Sequence, residues 1–155
     1  MIFVLYTFCG ETREKQHSAA YSLLSLYLGY RPEISREETG RPYVVAGPRF
    51  SISHTGGLAA CSVSESALSG VDVERIGRAI SKRVSDRMLC GLSGREAVKK
   101  WTETEALGKY IGCGVLGLKN AETPDCISFT TVEKNGFYIT VCAPEEQDVS
   151  FIEVK

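Results

Sequence analysis

The chain is sparing with the residues that most often carry metal, redox or nucleic-acid chemistry. It has two histidines, His17 and His54, and one tryptophan, Trp101. Its six cysteines are Cys9, Cys61, Cys90, Cys113, Cys126 and Cys142, and none has a C-x-x-C partner. That spacing excludes the common zinc ribbons and the thioredoxin-type redox motif. Reduced thiols in a cytoplasmic protein are the expectation. Cys61 and Cys142 lie in apolar runs, where cysteine acts as a small hydrophobe. No cysteine stands in a recognisable nucleophile context. Charge of one sign is also lacking: the formal net charge is -1. Without a global basic field, a nucleic-acid partner is not expected, and any anionic ligand must be held by a local cluster. No apolar run is long enough to span a membrane. The stretch from Met1 to Phe8 is too short and lacks a basic lead, so it reads as a first strand rather than a signal peptide. There is no low-complexity segment and no linker.

With 155 residues, the chain suits one domain, or two small halves that share a core. Ile2 to Phe8 reads as a buried strand, and Arg13 to Leu28 as a helix ended by Gly29, with Ala19, Ala20, Leu23, Leu24, Tyr27 and Leu28 at helical spacing. Ser35-Arg36-Glu37-Glu38 has the capping-box pattern, which Gly40-Arg41-Pro42 then interrupts. Tyr43 to Ala46, Phe50 to Ser53, Leu58 to Val63 and Leu68 to Glu74 read as strands of a meander, with Phe50 and Ile52 facing inward. Ile80 to Cys90 reads as a helix. Two further capping-box patterns, Ser93 to Glu96 and Thr102 to Glu105, lead toward Ile111, with Gly112 and Gly114 beyond. Asn135-Gly136 between alternating runs predicts a hairpin, and Val149 to Val154 a final edge strand. The order predicts an α+β protein of two packed halves, approximately 1–67 and 68–155, forming a single 1–155 domain.

The chemistry concentrates on Gly70-Val71-Asp72-Val73-Glu74. Period-2 geometry sends Val71 and Val73 to a core and places Asp72 and Glu74 on the opposite face, roughly 7 Å apart. Two such carboxylates call for a positive charge between them, and a divalent cation bound partly through substrate phosphates would supply it. The plainer alternative is an exposed strand face neutralised by Arg75 and Arg78. Trp101, Glu105 and Lys109 are spaced four apart and share one helix face. Arg13, Lys15 and His17 place positive charge at a helix N-terminus, against the macrodipole, which fits an anion nearby.

Four pieces stand in order: Gly40-Arg41-Pro42, Phe50-Ser51-Ile52-Ser53-His54-Thr55, Gly70-Val71-Asp72-Val73-Glu74, and Trp101-Thr102-Glu103-Thr104-Glu105-Ala106-Leu107-Gly108-Lys109. Together they resemble the 4′-phosphopantetheinyl transferase superfamily, of the surfactin-synthetase-activating type. The resemblance spans residues 40 to 112. It implies a pseudo-dimer of two α+β halves with the active site between them. It also implies Mg²⁺-dependent (or Mn²⁺-dependent) transfer of the phosphopantetheine arm from coenzyme A to a serine of an acyl or peptidyl carrier protein, releasing adenosine 3′,5′-bisphosphate. By the same resemblance Asp72, Glu74 and Glu105 hold the metal, and Ser53 and His54 contact the pyrophosphate or the 3′-phosphate region. Lys109 reaches the pyrophosphate, and Arg41 the adenylate end. Arg13 and Lys15 match no motif and are assigned to the 3′-phosphate by their charge alone. Glu105 is the candidate base, with Asp72 and Lys109 completing the catalytic set.

The sequence departs from the family pattern at Thr104, where lysine is usual, and at Ser51, where asparagine is frequent. The missing charge at position 104 points to slower turnover or a narrower carrier range. Arg78, Lys82, Arg83 and Arg87 form a basic rim that could meet an acidic carrier protein, or an ordinary solvated helix face. A monomer is expected. Two alternatives stay open: an idle relative that binds coenzyme A or a carrier protein, and an unrelated Mg²⁺-dependent nucleotide hydrolase.

Overall fold

Alternating apolar residues build two sheets, described over residues 1–155 by a computed structural model. In chain order the elements are β1 (Ile2–Phe8), α1 (Arg13–Leu28), β2 (Ser35–Arg36), β3 (Pro42–Tyr43), β4 (Arg49–Thr55), β5 (Leu58–Ser64) and β6 (Gly70–Arg75). Then come α2 (Lys82–Met88), α3 (Gly94–Ile111), α4 (Gly114–Gly117), β7 (Ile127–Lys134), β8 (Phe137–Pro144) and β9 (Val149–Glu153). The protein is α+β. Its first sheet has the order β4-β5-β1-β9 and its second β6-β8-β7, while β2 and β3 form a small separate hairpin. No helix is long and apolar enough to cross a membrane.

The inner faces of the two sheets pack on each other. Ile2, Val4 and Leu58 of the first sheet meet Val71, Val73, Ile139 and Val141 of the second, all essentially without solvent contact. Each such aliphatic side chain contributes about 1.5–3 kcal/mol by leaving water. The outer face of the first sheet is covered by α1 through Ala20, Leu23 and Leu24. Thr12 caps that helix by accepting the Lys15 N–H, and Gly29 ends it in the left-handed conformation, φ 74°.

Helix α3 lies against β6 at a backbone-to-backbone approach that only glycine permits. A Cβ at Gly70 would stand 2.0 Å from the Ala106 carbonyl oxygen and 2.5 Å from the Tyr110 nitrogen. This contact sets α3 over the side of β6 that carries Asp72 and Glu74. At the other end of the second sheet, Asn135 (φ 45°) and Gly136 (φ 82°) make the tight turn of the β7–β8 hairpin.

Four sequence expectations require correction. The capping-box pattern at Ser35 to Glu38 starts no helix. Ser35 and Arg36 pair instead with Tyr43 and Pro42, because Gly40-Arg41-Pro42 leaves no room for a helical turn. The pattern at Ser93 does stand at the start of α3, but the one at Thr102 falls inside that same uninterrupted helix. Ser93 makes no side-chain cap, and the Thr102 hydroxyl donates back to the Val98 carbonyl. The meander stops at β5: β6 leaves the first sheet and pairs with β8. Finally, the stretch 68–155 is not one body, since β9 returns to pair parallel with β1.

Candidate functional site

Where β4 passes the free edge of β6, serine hydroxyls take the place of a strand ladder. The Val71 N–H donates to Ser51 Oγ at 3.2 Å, and the Val73 N–H to Ser53 Oγ at 3.3 Å. The two serines are buried for this reason, although strand alternation with Phe50 and Ile52 inward points them at solvent. Ser53 also donates to Asp72 Oδ1 at 2.8 Å. This seam forms the floor of a cleft of about 580 Å³, walled by α1, β4, β6 and α3.

Three carboxylates mark one end of the cleft: Asp72 and Glu74 from β6 and Glu105 from α3. Asp72 and Glu74 are buried, at 5% and 7% exposure, so the plainer reading of an exposed strand face fails. Each has a cation. The Lys109 ammonium donates to Asp72 Oδ1 at 2.8 Å and to the Val71 carbonyl at 3.0 Å, while Arg78 pairs with Glu74. Asp72 Oδ2 is buried and has no hydrogen-bond partner. Glu105 is left without an ion pair. Its own burial raises its pKa, Asp72 raises it further, and Lys109 and Arg78 pull it back.

The same cleft also carries cations. Arg13, His17 and Tyr21 recur every fourth residue on the side of α1 that faces the cleft, with Arg36, Arg41, His54 and Lys109 across from them. His54 Nδ1–H donates to Gln16 Oε1 at 3.3 Å. Burial depresses the His54 pKa, and His17, Lys109 and Arg13 lower it further.

Nine residues were named from the sequence for the site. Arg13, Arg41, Ser53, His54, Asp72, Glu74, Glu105 and Lys109 all line the cleft; Lys15 does not. It sits two residues past Arg13, about 200° around the helix, and its chain lies along Gly10. Ser53 is committed inside the protein, to Asp72 and Val73. Arg41 donates to the Lys109 and Tyr110 carbonyls at 3.2 and 2.5 Å, so it caps the C-terminal end of α3 as well as lining the cleft. Thr104 is not a lining residue; its hydroxyl donates to the Lys100 carbonyl. Gln16, Tyr21 and Arg36 are additions. The four-residue repeat on α1 marks Tyr21 in the sequence, whereas Arg36 reaches the cleft only through the β2–β3 hairpin.

The donor set suits a hard divalent cation: three carboxylates border one cleft, and a buried oxygen has no partner. It is not a ready-made cage, since no three histidine, cysteine or carboxylate side chains converge closely enough to hold an ion. Lys109 and Arg78 already engage two of the three. The remaining thiols offer no competing centre: all six are free, and burial pushes Cys61 and Cys142 up to about 12. No family model matches the chain, and no curated protein matches it.

Proposed function

We propose that the protein is a phosphopantetheinyl transferase that moves the phosphopantetheine arm of coenzyme A onto a serine of an acyl or peptidyl carrier protein. The reading includes the two-halved fold of that superfamily. The observation that carries it is the polarity of one cleft. Carboxylates, one with an unpartnered buried oxygen, line it together with the cationic side chains Arg13, Arg36 and Lys109 and with His54. Coenzyme A is a polyanion with a reacting pyrophosphate at one position and a separate 3′-phosphate at another. A cleft lined by both carboxylates and cations suits both.

Asp72, Glu74 and Glu105 would hold Mg²⁺, which when bound neutralises charge on the pyrophosphate and its leaving group. The chain's own residues do the rest. Lys109, anchored to Asp72 and the Val71 carbonyl, keeps a fixed positive charge beside the reacting phosphates. Arg13 and His54 hold the far phosphate. Glu105 accepts the proton of the incoming serine hydroxyl. It forms no ion pair in the unliganded cleft, so its two oxygens are free for the metal and for the hydroxyl.

The deciding experiment is intact-mass spectrometry of an apo carrier protein incubated with this protein, coenzyme A and Mg²⁺. The expected result is a gain of one phosphopantetheine arm, abolished by chelating the metal. A second reading, a relative that binds coenzyme A without transferring it, draws on Lys109 and Arg78 already occupying Asp72 and Glu74. Coenzyme A binding with no mass gain on any carrier would select it. Breakdown of coenzyme A without a carrier would select a hydrolase.

Ligand binding also has a pH signature. In the free protein, burial and three neighbouring cationic groups depress His54 below the ordinary histidine value of 6.5. A bound phosphate reverses the sign of its surroundings and raises that pKa. Between the two values binding takes up a proton, so affinity for coenzyme A is expected to strengthen as pH falls through that window. The His54 ring-proton NMR titration measures this directly. A midpoint unmoved by coenzyme A would remove His54 from the phosphate site.

A further inference from the structure

The cations in the carboxylate end are held unequally. Lys109 has two acceptors and projects from α3, which Gly70 clamps against β6. Arg78 has one acidic partner, Glu74, and is 43% exposed. It sits on the turn after β6, beside Gly77, where an added Cβ would meet open space. Its guanidinium carbon lies 5.6 Å from the centre of the Trp101 ring. That indole N–H is buried and has no acceptor.

Charge balance separates their roles. Three carboxylates against Lys109 and Arg78 leave one negative charge. A divalent cation added beside both would reverse it. A divalent cation with Arg78 gone leaves the three carboxylates balanced by the ion and Lys109. Arg78 and a metal ion also compete for the same Glu74 oxygens, and like charges at that separation repel.

Resting on the metal-site reading above, we propose that Arg78 is the exchangeable counter-ion of the site. It holds Glu74 while no divalent cation is bound, and gives Glu74 up, leaving the Trp101 ring, when one binds. Lys109 stays. Arg78 is thus a positioning residue: it keeps Glu74 in place before metal entry and sets the threshold for that entry.

Trp101 is the only tryptophan, so the emission reports on the surroundings of that one ring, and the Arg78→Gln variant isolates the part due to Arg78. Mg²⁺ is titrated into the full chain, without coenzyme A, and followed by tryptophan emission and by calorimetry. In the wild type the emission should change with the same midpoint as the heat. Arg78→Gln should bind Mg²⁺ about 3- to 10-fold more tightly, from the loss of a half-exposed competing ion pair, with the emission no longer responding. Arg78→Lys keeps the charge and should bind within about twofold of wild type; it carries the test if the glutamine variant does not fold. Mg²⁺ binding to wild type with unmoved emission overturns the proposal, as does unchanged or weaker binding by Arg78→Gln. Absence of any Mg²⁺ heat in wild type and variants overturns the metal site itself, and with it this inference.

Discussion

Replacing Asp72 with alanine is expected to cut transfer by about 10²-fold or more, because the stabilisation of charge on the reacting phosphates is lost. No other side chain in the cleft is as central. One Asp72 oxygen receives the Ser53 hydroxyl and the Lys109 ammonium, each at 2.8 Å, and the other is buried with nothing bonded to it. The substitution therefore removes a metal oxygen and also the anchor of Lys109, which keeps only the Val71 carbonyl. Coenzyme A binding should fall much less, because Arg13, Arg36 and His54 line the cleft without depending on Asp72 for a bond. The pair of readouts is turnover on an apo carrier and calorimetric coenzyme A affinity, with Asp72→Asn as the variant that keeps shape and loses charge. Wild-type turnover in Asp72→Ala would remove Asp72 from the mechanism.

Gly70→Ala should have the largest effect on stability of any single methyl group added to the chain. The new carbon would lie 2.0 Å from the Ala106 carbonyl oxygen and 2.5 Å from the Tyr110 nitrogen, both main-chain atoms of α3. Neither can yield unless the helix moves. Overpacking of this kind costs about 3 kcal/mol, the upper part of its usual range. The helix carries Glu105 and Lys109, so whatever shift relieves the clash also displaces both from β6. A misplacement of about 1 Å is enough to cost 10²-fold in rate. Urea unfolding measures the first effect and carrier modification the second. Gly77→Ala is the control: nothing lies within reach of its added carbon, and its stability should stay within about 0.5 kcal/mol. A Gly70→Ala protein as stable as wild type would mean that α3 does not rest on β6 in this way.

The elements with strong local signals were legible in the sequence. The strand Ile2–Phe8, the helix Arg13–Leu28 with its Gly29 stop, and the Asn135-Gly136 hairpin carry their own periodicity and end signals. The carboxylates of the site were legible too, because alternation along β6 puts Asp72 and Glu74 on one side whatever the strand pairs with. Partner choice was not. Nothing in the residues after Ser64 says that the chain leaves the first sheet, since an antiparallel neighbour and a strand in a second sheet share the same alternation. For the same reason Ser51 and Ser53 looked solvated: their burial depends on β6 crossing beside them. The capping-box patterns misled at Ser35 and Thr102, because a matched pair of residues three apart does not fix backbone direction, whereas Ser93 does stand at the start of α3. Arg41 and Lys15 show the corresponding limit for cations. Charge identifies a candidate, but helix carbonyls claim the Arg41 guanidinium, and rotation around α1 takes Lys15 away.

The return of β9 to the first sheet has a mechanical consequence. The chain crosses between the two sheets twice, once through residues 65–69 and again through residues 145–148. No single cut can part them, and each crossing is too short to act as a slack leash. Two short tethers, together with the apolar core that both sheets share, forbid their separation. At the seam, Ser51 and Ser53 bond the edge of β6 with pivoting hydroxyls in place of a rigid ladder. The floor of the cleft is therefore held from both sides, tied at two points along the chain and stitched along the seam by hydroxyls that bond without a strand ladder.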